Sequence, residues 1–211
     1  MSPIYSPEPT DKSKFTAEFD HAYTQFAGVY DFAVKALPVW KTWIKHALPY
    51  IRGPRVLEAS FGTGYLLTQY AGKFETYGLE YNQRMAYTAR DNLEKKGLTA
   101  ELQVGDVEAL PYPGDTFDSL VNTMAFTGYP EGTKAMSELW RVIKNGGRLI
   151  LIDINYPADH NRIGTTITRI FASLGDLIRD MDPIFKTYNI AYQDHEIGGF
   201  GSVHLYLAEK K

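Results

Sequence analysis

Three carboxylates and one glycine turn carry most of the chemistry visible in this chain. Glu58 ends the run Arg55-Val56-Leu57 and is followed by Ala59-Ser60-Phe61-Gly62-Thr63-Gly64. Glycines just after a buried strand let the backbone approach a ligand, because a Cβ would occupy the ligand's space. Glu80 and Asp106 recur at equivalent places, one ending a second strand-like run and one just beyond a third. A carboxylate ending the second strand can accept both hydroxyl protons of a ribose. Each also has a plainer reading. Glu58 can cap the following turn, Glu80 can be a solvated strand end, and Asp106 can form an Asx-turn.

The remaining reactive residue types exclude more than they offer. The absence of cysteine removes disulfides, thiolate metal ligands and a cysteine nucleophile together. His21, His46, His160, His195 and His204 show no zinc spacing, so no metal is expected. His160, after Asp159, either faces a ligand from beyond the fifth strand or sits on a surface loop. A net charge of −3 gives no general attraction to nucleic acid. No run reaches the ~18 apolar residues of a membrane span. Residues 1–12 hold Pro3, Pro7 and Pro9 and no apolar signal region, so a flexible leader on a soluble, cytoplasmic protein is expected.

The elements that position these groups follow from periodicity. Residues 13–52 read as an N-terminal helical cap. Phe15, Phe19, Tyr23, Phe26 and Tyr30 form one helical stripe, interrupted at Gly28. Asp20, Gln25 and Asp31 leave its polar face short of lysine and arginine, unlike an interfacial membrane helix. The stripe either packs on the body or forms a lid over an acceptor site. Pro38 suits the first turn of a second helix carrying Trp40, Trp43, Ile44, Ala47 and Leu48.

Residues 53–211 then alternate. Strands are expected at 55–59, 76–81, 100–104, 117–123 and 148–154, with helices at 63–71, 82–96 and 131–144 between them. Ile167, Ile170, Phe171, Leu174, Ile178 and Met181 mark one amphipathic helix. Two closing strands, 187–196 and 202–209, joined across Gly198-Gly199-Phe200-Gly201, imply an antiparallel hairpin. The fold class is therefore α/β, a Rossmann-like, doubly wound, mostly parallel seven-stranded sheet. Its ligand belongs at the carboxyl ends of the strands.

The carboxylates alone do not name that ligand. Glu80 lies 16 residues beyond Gly64, near the ~20 of the dinucleotide fingerprint, so NAD fits as well as S-adenosylmethionine. Asp106 opens the block Gly105-Asp106-Val107-Glu108-Ala109-Leu110-Pro111-Tyr112-Pro113-Gly114-Asp115-Thr116-Phe117-Asp118, and Glu138 to Gly147 ends in Lys144-Asn145-Gly146-Gly147. With the glycine turn, these stretches resemble the class I S-adenosylmethionine-dependent methyltransferases. The nearest branch holds the quinone-biosynthesis C-methyltransferases and bacterial phospholipid N-methyltransferases. Ser60 stands where that family's motif has its first glycine, and Asn145 where it has proline. The resemblance runs from about Tyr30 to the C-terminus.

The resemblance implies S-adenosylmethionine as cofactor and a role for each matching position. Glu58, Ser60, Gly62 and Gly64 would cradle its methionine end, and Glu80 its ribose hydroxyls. Tyr81 would lie on the adenine face, unless it merely packs. Asp106 and the Val107 N–H would meet the adenine edge, and Asn122 and Thr123 would face the sulfonium. Tyr30, Thr123, Tyr156 and His160 are the candidate helpers of the transfer. A small lipophilic or aromatic methyl acceptor suits the 14% aromatic content. A monomer or homodimer is expected. An NAD-dependent oxidoreductase and a non-catalytic S-adenosylmethionine-binding module are the competing readings.

Overall fold

The computed structural model describes residues 3–18 and 38–211. Phe19, Tyr23, Phe26, Gly28 and the helper candidate Tyr30 lie outside the described residues. Residues 12–18 form helix α1, and α2 spans Pro38–Lys45. The body follows as β1 (Arg55–Ala59), α3 (Leu67–Tyr70), β2 (Glu75–Glu80), α4 (Gln83–Glu94) and β3 (Glu101–Val104). Then come β4 (Phe117–Thr123), α5 (Gly132–Arg141), β5 (Ile143–Ile154), α6 (Arg162–Ser173) and α7 (Met181–Thr187). The chain closes with β6 (Tyr192–Gly198) and β7 (Val203–Glu209).

These seven strands make one sheet in the order β3-β2-β1-β4-β5-β7-β6. Strands β1 to β5 pair in parallel, and β7 runs antiparallel to both β5 and β6. The expected mixed sheet with its closing hairpin is the observed one. The order reverses between β1 and β4, the place where an open sheet of this kind leaves a crevice at its carboxyl edge.

Side chains alternate across the sheet, so each strand feeds two cores. Leu57, Leu79, Leu120, Leu149 and Leu151 pack on one face with Met136, Leu139 and Phe185 from α5 and α7. Val56, Val121, Ile150 and Ile152 face the other way, onto Ile44, Leu67, Ala86 and Ala89 from α2, α3 and α4. Burial on both faces explains the apolar run Leu149-Ile150-Leu151-Ile152 in the second half of β5.

The element borders differ from expectation where backbone geometry intervenes. Gly62 and Gly64 adopt left-handed φ of 55° and 72°, so α3 starts only at Leu67 rather than at residue 63. Asn82 does cap α4, its side chain accepting the Met85 N–H at 3.0 Å. Strand β5 begins at Ile143, before the Asn145-Gly146-Gly147 stop that was expected to precede it. Ile143 already pairs with Phe117 across a bulge.

The single helix expected over Ile167 to Met181 is two. Gly175, at φ 111°, breaks it, leaving α6 before and α7 after. Ile178 and Met181 reach the core, but Ile170 is 53% and Leu174 73% exposed. Thr165 and Thr168 occupy the buried side of α6 instead. The Thr168 hydroxyl donates to the Asn155 carbonyl at 2.6 Å, while Thr165 Oγ1 is buried without a hydrogen-bond partner.

The segment ahead of α1 is tied to the body. Ser6 N–H donates to the Ile178 carbonyl at 2.7 Å, and Ser6 Oγ accepts the Ile178 N–H at 3.0 Å. Lys12 forms an ion pair with Glu131 at the start of α5.

Candidate functional site

A cavity of about 480 Å3 opens at the carboxyl edge, where the strand order reverses. That size lies within the ~300–1,000 Å3 of small-molecule sites. Its floor is the turn after β1, with Glu58, Ser60, Phe61, Gly62 and Thr63 on the wall. One side carries Glu80, Tyr81, Asp106 and Val107; the other carries Thr123, Met124, Tyr129 and Pro130. Lys12, Ser13, Thr16 and Ala17 border it from α1, and Trp40 and Ile44 from α2.

The three carboxylates sit in three different environments. Glu58 is fully enclosed and accepts the Tyr70 hydroxyl proton at 2.8 Å. Burial pushes its carboxyl up to about 8, with the Tyr70 hydrogen bond opposing and the nearby Glu80 charge adding to the rise. Glu80 uses both oxygens on backbone. Oε2 accepts the Gly62 N–H at 2.8 Å, and Oε1 accepts the Asn82 N–H at 2.9 Å. One carboxylate thus locks the glycine turn to the start of α4. Asp106 is exposed at the rim, and its Oδ1 accepts the Glu108 N–H at 2.8 Å. It is an Asx-type cap and a cavity residue at once.

The turn itself explains its residue types. Ser60 lies at φ 57° and Gly62 at φ 55°, the left-handed region that favours glycine. Space beside Gly62 is open, since a Cβ there would meet only Met85 Sδ at 4.0 Å. Gly64 is different. A Cβ on it would lie 2.8 Å from the Ala89 Cβ, so this glycine serves the close packing of the turn on α4. It is absent from the cavity wall.

Asn122 also misses the cavity wall. It is fully buried, and its Nδ2 donates to the Ala59 carbonyl at 2.9 Å and to the Tyr129 hydroxyl at 2.7 Å. Tyr129 Oη in turn lies 2.7 Å from Ser60 Oγ. Asn122 Oδ1 is buried without a hydrogen-bond partner. Thr123, its neighbour, does border the cavity.

The remaining helper candidates lie elsewhere. Tyr156 is buried and donates its hydroxyl proton to the Ile4 carbonyl at 3.0 Å. Tyr156 and His160 border a separate, smaller cavity of about 160 Å3 with Tyr5, Asp180, Tyr192 and His204. Strand β5 carries the chain away to this second site before Tyr156 is reached. His204 within β7 uses Nδ1 on Asp194 at 2.8 Å and Nε2 on the Tyr156 carbonyl at 3.1 Å. Among the described residues, no group of three or more His, Asp or Glu is placed to hold a metal. Among them too, no helix is long and apolar enough to cross a membrane.

Sequence reasoning passed over Tyr129, Tyr65, Met85 and the α1 residues. Tyr129 had a usable signal, since Gly128-Tyr129-Pro130 follows a strand at the carboxyl edge. Its segment is pinned from behind. Arg179 donates to the carbonyls of Phe126 at 3.2 Å, Pro130 at 3.3 Å and Tyr129. The buried Asp153, whose carboxyl burial raises to about 7, accepts the Thr127 N–H at 2.9 Å.

Comparison with known proteins gives concordant results. Residues 57–151 match a family model described as a methyltransferase domain. The chain is 34% identical to a phosphatidylethanolamine N-methyltransferase of Cereibacter sphaeroides over 104 residues, 48% of this chain and 51% of that one. It is 34% identical to a demethylmenaquinone methyltransferase of Deinococcus radiodurans over 107 residues, 49% of this chain and 44% of that one. The chain spans about half the length of these curated relatives. A solved S-adenosylmethionine-dependent methyltransferase from Thermotoga maritima shares the fold at TM-score 0.71 and 17% identity, covering 92% of this chain and all of that one.

Proposed function

Because residues 57–151 match a methyltransferase domain, we propose that the chain is a class I methyltransferase that uses S-adenosylmethionine to move a methyl group to a small lipophilic acceptor. The observation that carries this reading is the cavity at the sheet's switch point, walled by Glu58, Glu80 and Asp106 from three neighbouring strand ends. The donor set fits the cofactor: acidic groups for ammonium, hydroxyl and amine protons, and an open backbone position at Gly62. When bound, S-adenosylmethionine supplies an electrophilic methyl on a sulfonium, a very good leaving group.

The protein's own task is then positioning and exclusion of water. Glu58 and the Ser60–Gly62 turn receive the methionine end, Glu80 the ribose, and Asp106 with Val107 the adenine edge. Trp40, Ile44, Met85 and Met124 give the cavity an apolar wall suited to an apolar or aromatic acceptor. The α1 residues, held by the Lys12–Glu131 ion pair, shield the rim. The two curated relatives named for a phospholipid and a quinone precursor support a lipophilic acceptor for this chain.

Isothermal calorimetry with S-adenosylhomocysteine tests the cofactor site. Binding near micromolar, weakened ~10-fold or more by Asp106→Ala through loss of a charge-assisted hydrogen bond, is expected. A folded protein that ignores the ligand rejects the reading. Transfer of labelled methyl to a panel of phospholipid and quinone-precursor acceptors tests the acceptor class, and transfer only to water-soluble acceptors rejects it.

A further inference from the structure

We infer that Ser60 and Tyr129 together supply the hydroxyl donor that holds the carboxylate at the amino-acid end of the cofactor. This role rests on the methyl-donor reading of the cavity and names what selects that end of the ligand. Asn122 Nδ2 faces the Ala59 carbonyl at 2.9 Å, and a carbonyl only accepts, so the atom there is the amide nitrogen. The same nitrogen gives its other proton to Tyr129 Oη at 2.7 Å. Tyr129 Oη lies 2.7 Å from Ser60 Oγ. Burial pushes the Tyr129 phenol above its ordinary pKa, so it keeps its proton. The two hydroxyls therefore bring one proton each and spend one on their mutual bond. Whichever oxygen donates in that bond, one proton is left over, with no acceptor for it among the described residues. Both residues line the main cavity.

The backbone at the same turn is already engaged. Ser60 N–H donates to the Leu79 carbonyl at 2.7 Å, and Gly64 N–H to the Phe61 carbonyl at 2.9 Å. Gly62 N–H is taken by Glu80 Oε2 at 2.8 Å. At positions 60, 62 and 64 the leftover hydroxyl proton is thus the donor that a ligand meets. Topology says which part of the ligand that is. In the order β3-β2-β1-β4, the Ser60–Tyr129 pair bridges the ends of β1 and β4, away from Glu80 on β2 and Asp106 beyond β3. With ribose and adenine over β2 and β3, the amino-acid end lies toward β1 and β4. Its ammonium donates and matches a carboxyl group such as Glu58, whereas its carboxylate only accepts and needs a donor. The donor is fixed beforehand. Asn122 holds the phenol, and Arg179 donates to the Tyr129 carbonyl behind it. Little ordering is then left to lose when the ligand arrives.

The test is titration calorimetry of the full chain with S-adenosylhomocysteine and with its decarboxylated analogue, which keeps the amine and lacks the carboxylate. The wild-type chain should prefer S-adenosylhomocysteine at least ~10-fold, as expected for hydrogen bonds to a charged acceptor. Ser60→Gly should cut that preference at least ~5-fold, by weakening S-adenosylhomocysteine and leaving the analogue unchanged. Glycine suits the φ of 57° at this position, so the variant keeps the fold, checked by circular dichroism. Adding Tyr129→Phe removes both hydroxyls and should lower the preference further. Equal affinity of the wild-type chain for the two ligands overturns the proposal. So does a Ser60→Gly chain that keeps the wild-type preference, or one that loses both ligands in proportion, as a merely structural role would give. Binding of neither ligand by the folded wild-type chain rejects the methyl-donor reading itself, and the proposal with it.

Discussion

The hydroxyl oxygens of Ser60 and Tyr129 lie 2.7 Å apart, joining the turn after β1 to the segment after β4. Ser60 holds a left-handed backbone at φ 57°, which costs a non-glycine residue ~1–2 kcal/mol. The hydroxyl contact offsets that cost, because a hydrogen bond contributes ~0.5–1.5 kcal/mol net. Asn122 Nδ2, donating to the same Tyr129 oxygen, orients the phenol for it. A serine is tolerated at a glycine position here because it has acquired a partner across the crevice.

A double-mutant cycle checks this compensation. Ser60→Gly alone should change stability by less than ~1 kcal/mol, since relief of strain and loss of the hydrogen bond oppose each other. In a Tyr129→Phe background the hydrogen bond is already gone, and Ser60→Gly should stabilise by ~1 kcal/mol. Urea denaturation of the four proteins measures the coupling. Additive effects would show that the two hydroxyls do not support each other.

Glu80 leads to a second expectation. Its two oxygens accept backbone N–H groups from Gly62 and Asn82. In Glu80→Gln one of those N–H groups must face an amide NH2, so the turn loses an acceptor worth ~1–3 kcal/mol. The variant should melt lower and bind S-adenosylhomocysteine at least ~10-fold more weakly, about 1.4 kcal/mol. Calorimetry and thermal unfolding measure the two effects. Weakened binding with unchanged melting would confine Glu80 to ligand contact and remove its role in the turn.

Much of this arrangement was legible in the sequence, and the misses have physical causes. Residues 149–152 of β5 and the Asn82 cap were marked by local chemistry, an apolar run and a side chain able to bond its own helix. Gly64 was read as ligand-facing because sequence shows that a glycine is needed, not which neighbour needs it; the neighbour is Ala89. Asn122 was aimed at the sulfonium, yet strand alternation places it inside, under Tyr129. The place of Tyr129 is marked by the strand before it, but its contact with Ser60 spans 69 residues, and no local pattern carries such a pairing. The outward turn of Ile170 and Leu174 on α6 escaped for a different reason. Its isoleucine spacing is ordinary, and only the fold decides which face is turned outward.

Arg179 should act on the cavity from behind. It donates to the Phe126, Tyr129 and Pro130 carbonyls and is 8% exposed. Arg179→Met keeps bulk but leaves buried acceptors unpaired, costing ~2–4 kcal/mol by the usual penalty for one or two such groups. Hydrogen exchange should rise at Thr127 to Tyr129 while the amides of β1 stay protected until global unfolding. Uniform loss of protection across the sheet would instead make Arg179 a general core residue.

Buried carboxyls set the dependence of stability on pH in the unliganded protein. Glu58 is raised from 4.5 to about 8 and Asp153 from 3.8 to about 7, in both cases chiefly by burial. Each folded-state value lies above its unfolded one, so between the two values the folded chain holds more protons than the unfolded chain. Stability contributed by the neutral carboxyl is therefore full below the unfolded value and is lost as pH rises through the folded one. Between about pH 5 and 8 the unfolding free energy should fall with pH, by up to ~1.4 kcal/mol per pH unit for each group. Glu58→Gln keeps an acceptor for the Tyr70 hydroxyl and cannot ionise. It should flatten the profile most between pH 7 and 8, where Asp153 has largely titrated, and be more stable than wild type at pH 8. Urea titrations at half-unit steps from pH 5 to 8.5 measure this. A wild-type profile that rises through that window, or a Glu58→Gln profile identical to it, would place an ionised carboxylate at Glu58 throughout.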